Sequence, residues 1–177
     1  MKEWIKADFD SYEMQHPLAA RFTYGENWEL FSYMRNLRYL EYYTNKSPKT
    51  FIDKFLRVWY WLKHRRNIKN TMIFVGPNSI GPGLHLVHRG FRRIGPYIHI
   101  GSNCTILPNV LFGKKNPHVG EEGFWLGDNC YIGTGATILG PIHIGNNVTI
   151  GAGAVVTKDV PDGATVVGVP GRIIRKV

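Results

Sequence analysis

Two cysteines in 177 residues are too few for a disulfide framework. Cys104 and Cys130 both fall on inward positions of the repeat described below, so they read as small buried apolar side chains rather than a disulfide or a metal site. That usage fits a reducing compartment, and the cytoplasm is the expected location. Long apolar runs are missing too. No stretch approaches the length of a membrane span, and the opening MKEWIKADFD lacks the apolar segment of a signal peptide. Carboxylates are scarce: 13 Asp and Glu stand against 22 Lys and Arg, a formal charge of +9. The surplus cations gather at Arg65-Arg66, at Arg89, Arg92 and Arg93, at Lys114-Lys115, and at Arg172, Arg175 and Lys176. Nucleic-acid binding is one reading of such clusters, but the sequence carries no nucleic-acid motif. An anionic small molecule accounts better for their placement, and solvated surface charge accounts for many of them.

What is abundant is a six-residue rhythm. Leu126, Ile132, Ile138, Ile144, Ile150 and Val156 recur at strict intervals, and Gly follows at 127, 133, 145 and 151. Cys130, Ala136, Ile142, Val148 and Ala154 form a second inward series. Neither a helix nor an alternating strand has this period. Repeats of this length build parallel β-helices, in which each hexapeptide is a short strand and a turn, and three close a coil of about 18 residues. Upstream, Ile80 and Leu86, then Ile94, Ile100, Ile106 and Phe112, keep the step. The register breaks twice: by two extra residues between Leu86 and Ile94, and at 113–125, GKKNPHVGEEGFW.

Residues 1–70 differ. They hold four of the five tryptophans and seven of the nine tyrosines. Helical spacing runs through 27–43 (Leu30, Phe31, Met34, Leu37, Leu40). A further helix is expected after Ser47-Pro48, read as an N-cap and first-turn proline, with Phe51, Phe55, Val58, Trp59 and Leu62 on one face. Pro17 separates a short first helix. At this spacing the aromatic stripe reads as core rather than a ligand box. The expected organisation is a helical N-terminal region over 1–70, a β-helix over 71–160 with its loop at 113–125, and a tail over 161–177 that folds back over the last coil.

Of the seven histidines, two fall where the repeat fails. His88 sits at the first break, in GLHLVHRG, and a break re-aims side chains away from the core. His118 sits in the long loop of the second, and loops on a rigid scaffold commonly carry sites. His85, His99 and His143 occupy outward repeat positions, where a surface imidazole is the default.

The segments IGPGLHLVHRG, IGSNCTILPNVLFG and IGTGATILGPIHIGNNVTIGAGAVVTKDVPDGATVVGVPGRIIRK together resemble the serine O-acetyltransferase branch of the hexapeptide-repeat acyltransferases, over residues 73–177. GVPGRIIRK and IGAGAVV are characteristic of the wider superfamily, and GPGLHLVH is more specific, because His88 matches the branch's catalytic histidine. RNLRYLEYY resembles short members found in bacterial surface-polysaccharide gene sets. The resemblance implies a mainly β fold, a left-handed parallel β-helix with an N-terminal α-helical cap. It also implies a homotrimer, sometimes paired, and acetyl-CoA as donor, with no metal expected. Active sites would lie in clefts between subunits. Donor contacts are implied at the coil corners Gly133-Thr134 and Gly151-Ala152, with Gly113 near the thioester. Lys158, Arg172, Arg175 and Lys176 are candidates for the CoA phosphates. His88 would act as general base toward an acceptor hydroxyl, and His118 is a second candidate.

The pattern departs from serine-acetylating members at several places. Their Asp immediately before the catalytic His is Val87 here, and the Asp fifteen residues before it, which orients the imidazole, is Ile73. Their second His follows an Arg and precedes a Pro. Here the loop reads Asn116-Pro117-His118, which displaces His118. A serine zwitterion needs both a cation and an anion partner, so the expected acceptor is a neutral hydroxyl on a sugar or surface-polysaccharide precursor, with serine the alternative. Glu121, Glu122 or a backbone carbonyl is expected to orient His88. Two further classes stay open: a metal-dependent β-helix enzyme using His88, His118 and either His85 or His99, and a non-catalytic scaffold.

Overall fold

A computed structural model describes residues 1–12, 22, 25–116 and 123–175. Among the described residues, three long helices precede a stack of short strands. Helix α1 spans Lys2–Asp10, α2 Glu26–Asn45 and α3 Phe51–Thr71. Pro17 lies outside the described residues.

The strands form three sheets, one per side of a coil. The first holds β1 (Ile73–Val75), β3 (Arg92–Ile94), β6 (Val110–Lys114), β9 (Thr137–Gly140) and β12 (Val155–Val156), in that order. The second holds β4 (Ile98–Ile100), β7 (Phe124–Leu126) and β10 (Ile142–Ile144). The third runs β2 (His85–Leu86), β5 (Thr105–Ile106), β8 (Tyr131–Ile132), β11 (Thr149–Ile150), β13 (Thr165–Val167) and β14 (Arg172–Arg175). All pairings are parallel except β13–β14. The register stacks residues of successive coils, as in Leu86↔Ile106↔Ile132↔Ile150↔Val166. This is a β-helix with N-terminal helices. Each inward residue of the six-step ladder, from Ile80 to Val156, is at most 4% exposed. Cys104 and Cys130 are buried in it as free thiols, and the neighbouring Cys130 thiol together with burial raises the pKa of Cys104.

The helical cap closes the first coil. Leu30, Phe31, Tyr33, Met34 and Leu37 of α2 join one continuous core with Ile73, Leu84 and Leu86. A buried ionic knot pins the joint. The Arg38 guanidinium donates to Asp8 Oδ2 at 2.8 Å and Glu41 Oε2 at 3.1 Å, and to the carbonyls of Ile80 (2.8 Å) and Gly81 (2.6 Å). Asp8 in turn accepts from the Gly83 N–H at 2.8 Å, and Glu41 from the Asn78 N–H at 2.8 Å. Every polar group of the knot thus has a partner, which is the condition for tolerating buried charge.

Helix α3 corrects two expectations. Its N-cap is Thr50, not Ser47: Asp53 N–H donates to Thr50 Oγ1 at 3.2 Å and Thr50 N–H to Asp53 Oδ2 at 2.9 Å, a reciprocal capping box. The apolar stripe is not core either. Phe51, Phe55, Val58, Trp59 and Leu62 are all exposed. The helix docks through its other face, where Asp53, His64 and Thr71 are buried. Polar anchors select that face: Lys46 to Asp53 at 2.8 Å, and His64 Nε2 to the Val75 carbonyl at 3.1 Å.

Candidate active site

The turns that leave the third sheet and enter the first stack in one column. They are residues 87–91, 107–109, 133–136 and 151–154. Backbone bonds tie each to the next: Asn109 N–H to Phe91 O (2.7 Å), Gly135 N–H to Pro108 O (3.0 Å) and Gly153 N–H to Thr134 O (2.8 Å). Asn109, Gly135 and Gly153 take left-handed φ of 62°, 69° and 66° there, a conformation that favours Asn and Gly. Of the sequence-predicted residues, this column gathers His88, Gly133, Thr134, Gly151 and Ala152.

His88 is at the head of the column. It also adopts left-handed φ, 57°, a costly state for a residue with a Cβ. Its side chain is 69% exposed. Its Nδ1 lies 3.1 Å from Glu26 Oε2, in the first turn of α2. The other carboxylate oxygen of Glu26 accepts the Arg89 N–H at 2.7 Å, and the Arg89 guanidinium reaches Glu29 Oε2 at 3.2 Å. The His88 and Arg89 hydrogen bonds hold the Glu26 carboxyl below the usual carboxylate range. An ionised Glu26 requires a proton on Nδ1, which leaves the Nε2 lone pair to accept a proton. Glu26 is therefore what orients His88. Glu121 and Glu122, the carboxylates expected in this role, lie outside the described residues. Ile73, at the family's Asp position, is a buried core residue on β1.

Arg92 clamps the same turn. It is fully buried, at 0% exposure, and has no carboxylate partner among the described residues. Its guanidinium donates to the carbonyls of Val87, Gly90 (3.3 Å), Ile106 (3.2 Å) and Leu107 (3.1 Å). Those carbonyls belong to the His88 turn and to the corner beneath it, so the two extra residues of the first break are held by one side chain. Burial lowers the Arg92 pKa to about 10. The sequence signal was an Arg at an inward position of the apolar repeat.

The other predicted residues are distributed as follows. Gly113 lies on β6, where an added Cβ would make only ordinary contact, 3.4 Å from Leu139 Cδ2. Gly133 has a structural reason of its own: a Cβ there would sit 2.6 Å from Ala152 N. Thr134 Oγ1 donates to the Pro108 carbonyl at 2.8 Å. Lys158 and Arg172 come together on a groove of about 200 Å³ between the last coil and the tail, with Asp159 beside them. Arg175 is exposed on β14 and is not part of that groove. His118 and Lys176 lie outside the described residues. His85 packs edge-on against Tyr12 at 5.1 Å, and His99 stacks on Trp125 at 4.3 Å. No three His, Cys, Asp or Glu side chains group to hold a metal ion among the described residues. From β2, beside His88, to β13, beside the groove, is four ladder steps, or about 19 Å at the usual strand spacing.

The β-helical repeat is shared with known proteins. Residues 125–158 match the family described as bacterial transferase hexapeptide (six repeats). The chain is 43% identical over 126 residues to the serine acetyltransferase of Bacillus subtilis, covering 68% of this chain and 57% of the relative. Among solved structures, soybean serine acetyltransferase complexed with serine superposes with a TM-score of 0.75 at 29% identity, over 97% of this chain and 68% of that one. Serine acetyltransferase from Brucella abortus in complex with coenzyme A gives 0.72 at 25% identity, over 99% and 68%. The chain spans about half the length of the bacterial curated relatives it matches, 44% to 57%, and 25% of one plant relative. The hexapeptide repeat and these relatives support the hexapeptide-repeat acyltransferase superfamily, and within it the serine O-acetyltransferase branch, as what this chain resembles.

Proposed function

We propose that the protein is an acetyl-CoA-dependent O-acetyltransferase with His88 as general base. The observation that carries the reading is the Glu26–His88 pair, set on a strained left-handed turn at the head of a column of small-residue corners. The Nδ1–H tautomer imposed by Glu26 leaves Nε2 to take the proton of an acceptor hydroxyl as its oxygen bonds to the thioester carbonyl carbon; the C–S bond then breaks and the same imidazolium returns the proton to the departing CoA thiolate, a role worth roughly 10²–10⁴ in rate. Acetyl-CoA supplies an activated acetyl thioester when bound. The corners Gly133-Thr134 and Gly151-Ala152 offer a low wall along which a pantetheine arm can lie, and Gly113, where an added Cβ would meet only Leu139, is the candidate position near the thioester. Lys158 and Arg172 provide cations for phosphates at the far end, with Arg175 and Lys176 as further candidates. His118 remains a second candidate for the acceptor side. The site is completed between neighbouring chains of a left-handed β-helical homotrimer, with a dimer of trimers as its larger form. The helical region, β-helix and tail, 1–70, 71–160 and 161–177, act as one catalytic unit in the cytoplasm.

The acceptor favoured by the relatives is L-serine, ahead of the sugar hydroxyl expected from the sequence. Glu26, Glu29 and Arg89 place charges of both signs around His88, which a zwitterion requires. A sugar or surface-polysaccharide hydroxyl is the second reading, favoured by Val87 and Ile73 at positions where serine-acetylating members carry Asp. Acetyl transfer from acetyl-CoA should be measured with serine and with a panel of sugars, alongside His88→Ala. Serine turnover lost in the variant is the expected result. Sugar turnover without serine turnover would establish the second reading, and transfer to neither would overturn the proposal.

A further inference from the structure

The exposed face of α3 has no part in the chemistry above. Phe51, Ile52, Phe55, Val58, Trp59 and Leu62 are each 49% exposed or more. At 100° per residue they fall on the side of the helix opposite the buried Asp53, His64 and Thr71. Lys54 and Lys63 flank this stripe, and Arg65, Arg66 and Lys69 continue it toward the C-terminal end; all are exposed, as is Arg57. The helix's one acid, Asp53, is buried and engaged by Lys46 and Thr50. The outward surface of α3, with Arg57 turned toward the docking side, thus combines large apolar side chains with five cations and no anion. Beside it, Val58 and Trp61 open onto a groove of about 420 Å³ that also involves Leu40, Thr44, Arg57 and Pro77.

Charge selects the occupant. A second copy of this face would set five cations against five cations with no exposed acid on either helix. The partner must be apolar and anionic at once, and the face is convex, the outer side of a single helix, which meets a plane better than it fills a cleft. We infer that α3 docks the protein on an anionic lipid surface. Phe51, Phe55, Trp59 and Leu62 enter the headgroup boundary, while the Lys and Arg side chains reach phosphates beside them. This inference stands on α3 alone and does not depend on the acetyl-transfer reading.

The test is partition of the full chain onto phosphatidylcholine vesicles with and without 30 mol% phosphatidylglycerol, followed by sedimentation and by Trp emission. Partition at least tenfold stronger on the anionic vesicles, with a blue shift and weakening in high salt, is expected. Phe55→Glu with Leu62→Glu should cut it at least tenfold, and Arg65→Glu with Arg66→Glu should do so separately. Each variant should keep the wild-type circular dichroism and melting, since all four positions are exposed. Equal partition onto neutral and anionic vesicles, or partition untouched by both double variants, overturns the inference. So does self-association through this face, seen as a concentration-dependent mass that Phe55→Glu with Leu62→Glu abolishes while vesicle binding is absent. Binding only to an acidic protein partner and not to vesicles would overturn it as well.

Discussion

Glu26 decides which nitrogen of His88 carries a proton, and so what the imidazole can do. Its two oxygens are divided between His88 Nδ1 and the Arg89 amide, so the carboxylate fixes both ring and turn. Glu26→Gln keeps the length but removes the charge that enforces the tautomer. We expect kcat for acetyl transfer to fall roughly 10–100-fold with little change in KM for acetyl-CoA, and His88→Ala to fall further. Steady-state kinetics of both variants checks this. His64 poses a second residue-scale question. Its Nε2–H donates to the Val75 carbonyl, and its buried Nδ1 has no partner among the described residues. A bare acceptor there is tolerable, whereas a second N–H from protonation would be stranded. Burial accordingly lowers the His64 pKa below its ordinary 6.5, against the Val75 hydrogen bond. The unfolded chain then binds the proton more readily. The stability this group contributes is complete above about pH 6.5 and declines as pH falls toward the lowered folded value. Urea midpoints between pH 7 and 5 should drop less steeply in His64→Gln than in the wild type.

At the scale of elements, short strands of two to five residues cannot hold a turn by themselves, and the first break shows what substitutes for repeat regularity. Arg92 replaces an apolar residue of the inward series and gives its donors to carbonyls of the His88 turn and of the corner beneath it. Arg92→Met should therefore cost about 3 kcal/mol in stability, since hydrogen bonds to a buried charge are among the stronger ones. It should also lower kcat more than KM, because the His88 turn loses its clamp. Arg92→Lys, which keeps the charge but not the fork, should recover part of the stability and less of the activity. Thermal melts and kinetics on the two variants separate packing from positioning. The joint between α1, α2 and the first coil uses the same device, with Arg38 spanning Asp8, Glu41 and two coil carbonyls.

For the whole molecule, an imidazole as exposed as that of His88 sits on a surface rather than in a closed pocket, so the water-poor cleft that acyl transfer needs is supplied by a neighbouring chain in the proposed assembly. The expected mass in solution is three times the 20.2 kDa chain, about 61 kDa, or twice that for paired trimers. Light scattering coupled to gel filtration reads it directly. A monomer that still transfers acetyl groups would show that one chain builds the whole site. No helix among the described residues is long and apolar enough to cross a membrane. Contact with lipid, if the α3 vesicle test succeeds, is therefore attachment along one helix face.

The six-residue period specified the coil by itself, because each hexapeptide folds as a local strand and turn and the inward positions, Arg92 apart, were legible as apolar. The two failures of the period were legible too, and the first located His88. What the sequence left undetermined were encounters between distant segments. Glu26 lies 62 residues before His88, and no period relates the first turn of α2 to a corner of the first coil. Glu121, Glu122 or a backbone carbonyl was the expected aid, whereas the packing of α2 on the first coil, pinned by the buried Asp8–Arg38–Glu41 knot, brings Glu26 to His88. The stripe on α3 was misread for the same reason. Spacing shows that apolar residues share a face, but only the docking of Asp53 and His64 decides that this face points outward. Local repetition determined the scaffold, and tertiary packing decided which side chains meet on it.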